Sequence, residues 1–334
     1  MEEIEFFTSF SHGVNNNLKM NKIKIAISSC LLGNKVRFDG GHKQSKYCLN
    51  VLSDWFEYTP VCPEMGIGLP TPRPPIHLVR VGEDIRVKKV DDHSLDVTDE
   101  LREYAHKTMP RIQDACGYIV IRNSPSCGME RVKVYHENGN PAGESFRGVY
   151  IDEIMKLHPN LPVEEEGRLQ DPRLRENFIT RVFAYHDWKQ SVMSDPSMKK
   201  LIDFHSRYKY LVMAHSYQAY KELGRLVANT EQKELAKLLR EYEDKLMLTL
   251  KKIASSKSHT NVLYHILGYL KRDLTSAAKQ ELVKVIEQYR KGIVTLVVPV
   301  TLINHYLTQF GSDYIKQQAY LDPHPLELGL RNYL

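Results

Sequence analysis

Three of the five cysteines occupy the same kind of place. Cys30, Cys62 and Cys127 each lie just after a predicted strand, in a loop containing Gly or Pro: SSCLLG at 28–33, VCPEMG at 61–66 and SPSCG at 124–128. A thiol in such a loop is a metal ligand, a nucleophile or a small apolar group. Three at equivalent strand ends can converge, because an open parallel sheet gathers its ligands outside the carboxyl ends of its strands. A zinc site would take a fourth Cys or His, and paired CxxC spacing is absent, so structural zinc is disfavoured. An iron–sulfur cluster on three thiolates would leave one iron open to a substrate, which turns an electron carrier into a Lewis acid. Three unrelated loop cysteines are the plain alternative. Cys48 and Cys116 fall within or at the end of predicted helices and read as buried small hydrophobes.

The elements that must position these loops can be read from periodicity. Residues 22–28 (KIKIAIS) alternate and are β-branched, which predicts a strand, followed by a helix over 46–55 and a short strand into Val61. Five of the 16 prolines lie between Pro63 and Pro75, so that stretch reads as a stiffened loop. Residues 76–81 and 85–90 read as a hairpin, Thr98 as the N-cap of a helix to residue 114, and 117–121 as a buried strand. Strands separated by helices predict an α/β domain with a largely parallel, Rossmann-like sheet. From Phe178 onward, helical periodicities such as 233–253 and 277–289 predict an all-α helical domain. Ser-Asp-Pro-Ser at 194–197 marks the boundary, giving an extension over 1–19, an α/β domain over 20–190 and a helical domain over 191–334.

With 334 residues, 42% of them hydrophobic and 26% charged, the chain has the balance of a soluble protein with enough apolar material for two cores. Its longest apolar run, 293–303, is well short of the roughly 20 residues that span a bilayer, and reads as core. The opening MEEIEFF lacks the pattern of a secretory signal, and five cysteines are too few for a disulfide scaffold. No membrane association and a cytoplasmic location are expected. The net charge of +5 divides into −2 over residues 1–190 and +7 over 191–334. That asymmetry fits a polyanionic partner for the second half, or simply a solvated helical surface. Three clusters carry it: His205, Arg207, Tyr208, Lys209 and Tyr210; Lys251, Lys252, Lys257 and His259; and Lys271 with Arg272. Arg207, Lys209, Lys251, Lys252, Lys257, Lys271 and Arg272 are the candidate phosphate contacts, and the tyrosines offer surfaces on which unpaired bases stack. Taken singly, each Lys reads as solvated surface and each Tyr as core; the case for a polyanion rests on the domain as a whole, which offers a distributed basic face.

The wording of the loops adds to their spacing. SSCLLG at 28–33, RFDGG at 37–41, VCPEMGIGLPTPR at 61–73 and SPSCGMERVKVY at 124–135 together resemble the thiouracil desulfidase family, over roughly residues 22–185. FHSRYKYLVMAHS at 204–216, KSHTNVLYHILGYLKR at 257–272 and YLDPHPLELGLRN at 320–332 resemble the YbgA-type domain. The stretch 292–303 follows that domain only loosely. A fusion in this order resembles the bacterial tRNA 4-thiouridine desulfidases. The resemblance implies a [4Fe–4S] cluster on Cys30, Cys62 and Cys127, with one iron not ligated by protein and free for the substrate sulfur. It implies catalytic roles for Glu64 and Ser124, tRNA as partner, and conversion of 4-thiouridine to uridine with release of hydrosulfide. On that reading Glu64 moves protons between the attacking oxygen and the ring or departing sulfur. Ser124 hydrogen-bonds the pyrimidine edge, although Ser-Pro is also a turn former, and Asp39 in RFDGG is a turn residue first. Two other readings stay open: a desulfidase of free thiolated pyrimidines, and a cluster-bearing RNA-binding or redox-sensing protein without turnover. The last has no need of an acid beside an open iron.

Overall fold

The computed structural model describes residues 22–92, 94–228 and 234–333; the expected extension over 1–19 lies outside the described residues. Among the described residues eight strands form, in chain order: β1 (Ile23–Ser28), β2 (Phe56–Val61), β3 (Ile76–Val81), β4 (Asp84–Lys89), β5 (Tyr118–Val120), β6 (Val132–His136), β7 (Pro141–Phe146) and β8 (Val163–Glu165). The first sheet runs β2-β1-β5-β8 and is parallel throughout. β1 is central, with Ile25, Ala26 and Ile27 fully buried, as expected for a β-branched strand covered on both faces. Its register sets the site, because Ser28 pairs with Val61 and Ile27 with Ile119, so all three chains leave the sheet at one edge.

The second sheet, β4-β3-β6-β7, extends the predicted hairpin by a parallel β3–β6 pair and an antiparallel β6–β7 pair. β6, β7 and β8 are additions to the sequence reading. β7 (PAGESF) is an exposed edge strand holding Pro and Gly, and β8 (VEE) buries two carboxylates, so neither shows an apolar run.

The α/β half carries α1 (Lys46–Asn50), α2 (Pro63–Gly66), α3 (Thr98–Ile112) and α4 (Val149–Leu157). α1 is shorter than predicted and gives way to a 3-10 turn at Leu52–Asp54. Thr98 is not the cap of α3: Asp96 accepts its amide at 3.0 Å and its hydroxyl at 2.6 Å, while Thr98 Oγ1 accepts Val87 N at 2.7 Å and ties the helix to β4. α5 (Pro172–Trp188) starts earlier than the periodicity suggests, because Asp171 accepts the amides of Arg173 and Leu174 and Pro172 opens the first turn. Among the described residues helices alone follow: α6 (Met198–His215), α7 (Tyr217–Ala228), α8 (Leu235–Leu250), α9 (Ser256–Leu270), α10 (Ser276–Arg290), α11 (Val297–Phe310) and α12 (Asp313–Lys316). The apolar run at 293–303 is core only in part, since Ile293 is exposed and Leu296, Val300 and Ile303 are buried.

α5 belongs to both halves. A Cβ on Gly117 would lie 2.7 Å from Val182 Cγ2, so this helix rests directly on the first sheet. At its other end Trp188 stacks on Tyr242 and meets Phe204 edge-on. The buried side chains accordingly form one continuous cluster rather than the two cores that chain length suggests. Among the described residues no helix is long and apolar enough to cross a membrane.

Candidate active site at the ends of the parallel strands

Cys30 sits in a 3-10 turn (Ser29–Leu32) directly after β1, Cys62 between β2 and α2, and Cys127 in the loop after β5. All three line one cavity of about 390 Å³, together with Glu64, Ser124 and Ser126. Cys48 and Cys116 are buried and take no part in its lining.

The Cys127 loop is held from three sides. Ser124 Oγ accepts the amides of Cys127 at 3.0 Å and Ser126 at 3.3 Å, a turn closed by a hydroxyl. The start of α4 receives the loop's carbonyls, with Val149 N donating to Pro125 O and Ile151 N to Ser126 O. Glu165 on β8 accepts the amide of Met129 at 2.9 Å just beyond. Gly148 is required where loop and helix meet, because a Cβ there would lie 2.5 Å from the carbonyl carbon of Ser126 and 2.7 Å from Cys127 N.

Glu64 stands in α2, which Pro63 opens. Its Oε1 accepts the hydroxyl of Ser126 at 2.7 Å, and its Oε2 accepts Nε and Nη2 of Arg73 at 3.0 and 2.5 Å. Since Ser126 gives its proton to Glu64, Ser124 must be the donor in the 2.9 Å contact between the two serine hydroxyls. A hydrogen-bonded line therefore runs from Ser124 through Ser126 to Glu64. Arg73 is almost wholly buried and also donates to Val36 O, Pro70 O and Thr71 Oγ1, so it fixes the carboxylate rigidly. Arg73 and Ser126 are not singled out by sequence, although both lie inside the cysteine-loop motifs 61–73 and 124–135. Asp39 makes the expected turn, accepting Gly41 N at 2.9 Å.

Burial pushes the Cys30 thiol up to about 11, with the neighbouring Cys62 adding to the shift and Arg37 opposing it. Cys62 is raised chiefly by burial, and Cys127 is raised well above the ordinary range by burial, then by Cys62 and Glu64. The thiols thus stay protonated at neutral pH until a cationic group takes them. Arg37, Lys43, Arg73 and Arg122 line the same cavity and oppose the negative charge that three thiolates would bring. Among the described residues no three His, Cys, Asp or Glu side chains close on a single metal ion. The thiols instead ring a cavity with room for a polynuclear group, and a soft three-sulfur donor set suits iron and sulfide.

The second-half candidates do not gather into one patch. Lys251, Lys252 and Lys257 are exposed around the turn between α8 and α9, while exposed Lys271 and Arg272 follow α9, about 21 Å further along its axis. Arg207 is engaged with Asp187 at 2.8 Å and packs over Phe204 and Tyr208; Lys209 lies over the rings of Tyr210 and Tyr314. Tyr208 and Tyr210 are core residues and offer no stacking surface. His259 is likewise buried against Tyr320 OH at 3.0 Å, and His205 contacts Tyr242 OH at 3.0 Å, so neither imidazole belongs to a basic surface cluster.

Comparison with known proteins divides the chain in the same sense. The family described as 2-thiouracil desulfurase matches residues 25–166, and the family described as protein of unknown function DUF1722 matches residues 209–325. Uncharacterized protein YbgA of Escherichia coli K12 is 31% identical over 161 residues, 48% of this chain and 95% of YbgA. Uncharacterized protein YbbK of Bacillus subtilis 168 is 31% identical over 153 residues, 44% of this chain and 98% of YbbK. Among solved structures, a [4Fe–4S]-dependent thiouracil desulfidase, TudS, is 33% identical, covering 45% of this chain and 95% of that one, with a TM-score of 0.35.

Proposed function

We propose, from the premise that the chain belongs to the 2-thiouracil desulfurase family through its α/β half and to the YbgA family through its helical half, that it is an iron–sulfur-dependent desulfidase of 4-thiouridine in tRNA. The observation that carries the desulfidase reading is the lining of one cavity by Cys30, Cys62 and Cys127 beside a fixed carboxylate, Glu64. Cys30, Cys62 and Cys127 would hold a [4Fe–4S] cluster. Such a group, with one iron not ligated by protein, supplies a soft Lewis acid for a thiocarbonyl sulfur.

The protein's own groups do the rest. In the overall change a C–O bond forms from water, the C–S bond breaks and sulfur leaves as hydrosulfide, with no net oxidation or reduction. Glu64, held by Arg73, takes the proton of the attacking water and returns it to the departing sulfur or the ring nitrogen. Ser124 and Ser126 extend that carboxylate's hydrogen bonding to the cavity wall; Ser124 Oγ already accepts two amides and gives its proton to Ser126, so it serves to hold the Cys127 loop and leaves the pyrimidine edge to other groups. Phe38, an exposed ring lining the same cavity, offers a stacking face for the base.

The tRNA part of the reading is supported by the +7 charge of residues 191–334 and the exposed lysines at 251, 252 and 257. An RNA substrate places the protein in the cytoplasm. The rival substrate is a free thiolated pyrimidine, which the 2-thiouracil desulfurase family name favours. Full-length protein reconstituted anaerobically with iron and sulfide, then incubated with thiolated tRNA or free thiouracil, separates the two. Nucleoside analysis should show 4-thiouridine replaced by uridine, and Cys62→Ala should abolish the conversion. Turnover of the free base with tRNA left intact would refute the tRNA substrate, and activity in Cys62→Ala would refute the cluster assignment.

A further inference from the structure

A second cavity, of about 500 Å³, lies between the α/β half and the helices. Its walls come from the segment just beyond Cys127, from α5 and from the end of α8. Arg181 of α5 lines it and is only 8% exposed. Among the described residues Arg181 makes no ion pair, and its Nε is buried without a hydrogen-bond partner.

The acids around it are otherwise occupied. Glu164 Oε1 accepts Arg168 Nε at 2.6 Å and Glu165 N at 2.9 Å, and Glu130 Oε1 accepts Arg168 Nη1 at 2.6 Å. Asp244 accepts the Asn160 amide at 2.6 Å, and Arg147, the remaining arginine of the lining, is paired with Asp152 at 3.1 Å. A buried charge without a bonded partner is costly to a fold, and burial pulls the Arg181 guanidinium down to about 10, against the opposing charge of Glu164 on the same cavity. Lys251, exposed at the end of α8, also lines this cavity, and its ammonium is disfavoured first by partial desolvation there and then by the charges of Arg181 and Arg147, against Glu164.

The fold nevertheless holds these two cations together. Asn177, one turn before Arg181 on the same face of α5, donates to Leu250 O at 2.8 Å and Lys252 O at 3.3 Å. That clamp fixes the end of α8, and with it the backbone of Lys251, relative to Arg181. Two mutually repelling cations kept on one cavity, one of them without a partner, are the complement of an anion.

We propose that Arg181 and Lys251 form a phosphate site that takes the backbone of the nucleic acid whose thiolated base enters the first cavity. The inference rests on the tRNA-substrate reading of the proposed function. The two cavities adjoin: Cys127 lines the first and Met129 the second, two residues on and at most about 7 Å along the chain. A guanidinium with a neighbouring ammonium is the donor set that phosphate oxygens select, and the apolar remainder of the wall leaves space for a sugar.

The test uses the full-length, cluster-loaded protein. Thiolated tRNA is titrated over a salt series, and uridine 5′-monophosphate and inorganic phosphate are added separately in thermal-shift measurements. Arg181→Met should weaken tRNA binding about tenfold and lower the salt slope by about one phosphate contact. Its Tm should be unchanged or higher because an unpaired buried charge is gone, and its iron content should be unchanged. Lys251→Met should weaken binding less, and the double variant should fall short of additivity. Arg181→Lys, which keeps the charge, should preserve most of the salt slope. Wild-type affinity and slope in Arg181→Met would overturn the site while leaving the tRNA reading intact. If tRNA fails to bind the wild type but uridine monophosphate or phosphate raises its Tm in an Arg181-dependent way, the tRNA reading falls and the anion site stands. No Arg181-dependent response to any of the three probes overturns the site.

Discussion

Gly148→Ala tests the construction of the candidate site without touching any group that does chemistry. The residue has φ −60° and ψ 137°, which alanine adopts freely, so the effect must be steric. Its new Cβ would sit 2.5 Å from the carbonyl carbon of Ser126, where ordinary contact begins at 3.4 Å, so about 0.9 Å must be found. The atoms in the way are backbone, pinned by Ser124 Oγ on one side and by the first amides of α4 on the other, and cannot swing aside as a side chain would. Overpacking of this kind costs about 1–3 kcal/mol. A ligand set tolerates only about 0.5 Å of error before its geometry fails. We therefore expect a protein that folds with a reduced Tm but retains little iron after anaerobic reconstitution, measured as iron per chain and by visible absorption. Gly268→Ala is the control: nothing lies within 4 Å of its added Cβ in α9, so it should keep its iron and gain about 0.5–1 kcal/mol. Full iron content in Gly148→Ala would refute the argument that this contact places Cys127.

Two further outcomes are expected from the buried charges. Glu64→Gln should keep its iron and lose turnover about 10²–10⁴-fold, with a lower Tm because Arg73 is left buried opposite a neutral amide; unchanged turnover would remove Glu64 from the reaction. The helical half should be acid-sensitive, because burial holds His259 well below its ordinary pKa and His324 down to about 3. Both are neutral when folded and protonate on unfolding, so each should remove about 1.4 kcal/mol of stability per pH unit as pH falls below about 6.5. His324→Gln should flatten the Tm–pH profile over that range, and an unaltered profile would show that this imidazole is not the titrating group.

How much of this is legible in the sequence depends on whether a feature is local. The three cysteine loops can be placed because β1 and β5 announce themselves as short β-branched runs, β2 as a short strand ending at Val61, and chains leaving parallel strands emerge at one edge of the sheet. The partner of Glu64 cannot, since Arg73 reaches it only after the proline-rich segment has folded back on Val36 and Phe38. Ser126 reads as a turn residue, and only the folded chain brings its hydroxyl to the carboxylate. β8 is invisible for a different reason: its buried Glu164 and Glu165 serve as acceptors for backbone and arginine, a role that hydrophobic patterning does not register. In the helices, the faces bearing Tyr208 and His259 turn inward because of packing between elements far apart in sequence, which aromatic-and-basic clustering alone cannot reveal.

α5 falls in the gap between the two family matches, which end at residue 166 and resume at 209. It is nonetheless a helix that both sides read: Phe178 and Val182 close over Gly117, and Trp188 seats the helix against Tyr242 and Phe204. Two free-standing ancestral modules would not be joined here by a tether but by a shared keystone, whose sequence answers to two sets of neighbours at once. Recombining halves from different relatives at a cut inside this helix would mismatch one set or the other. Chimeras should be viable only when the helix travels with compensating changes on the side it leaves, so the fused protein inherits its halves as a matched pair rather than as interchangeable parts.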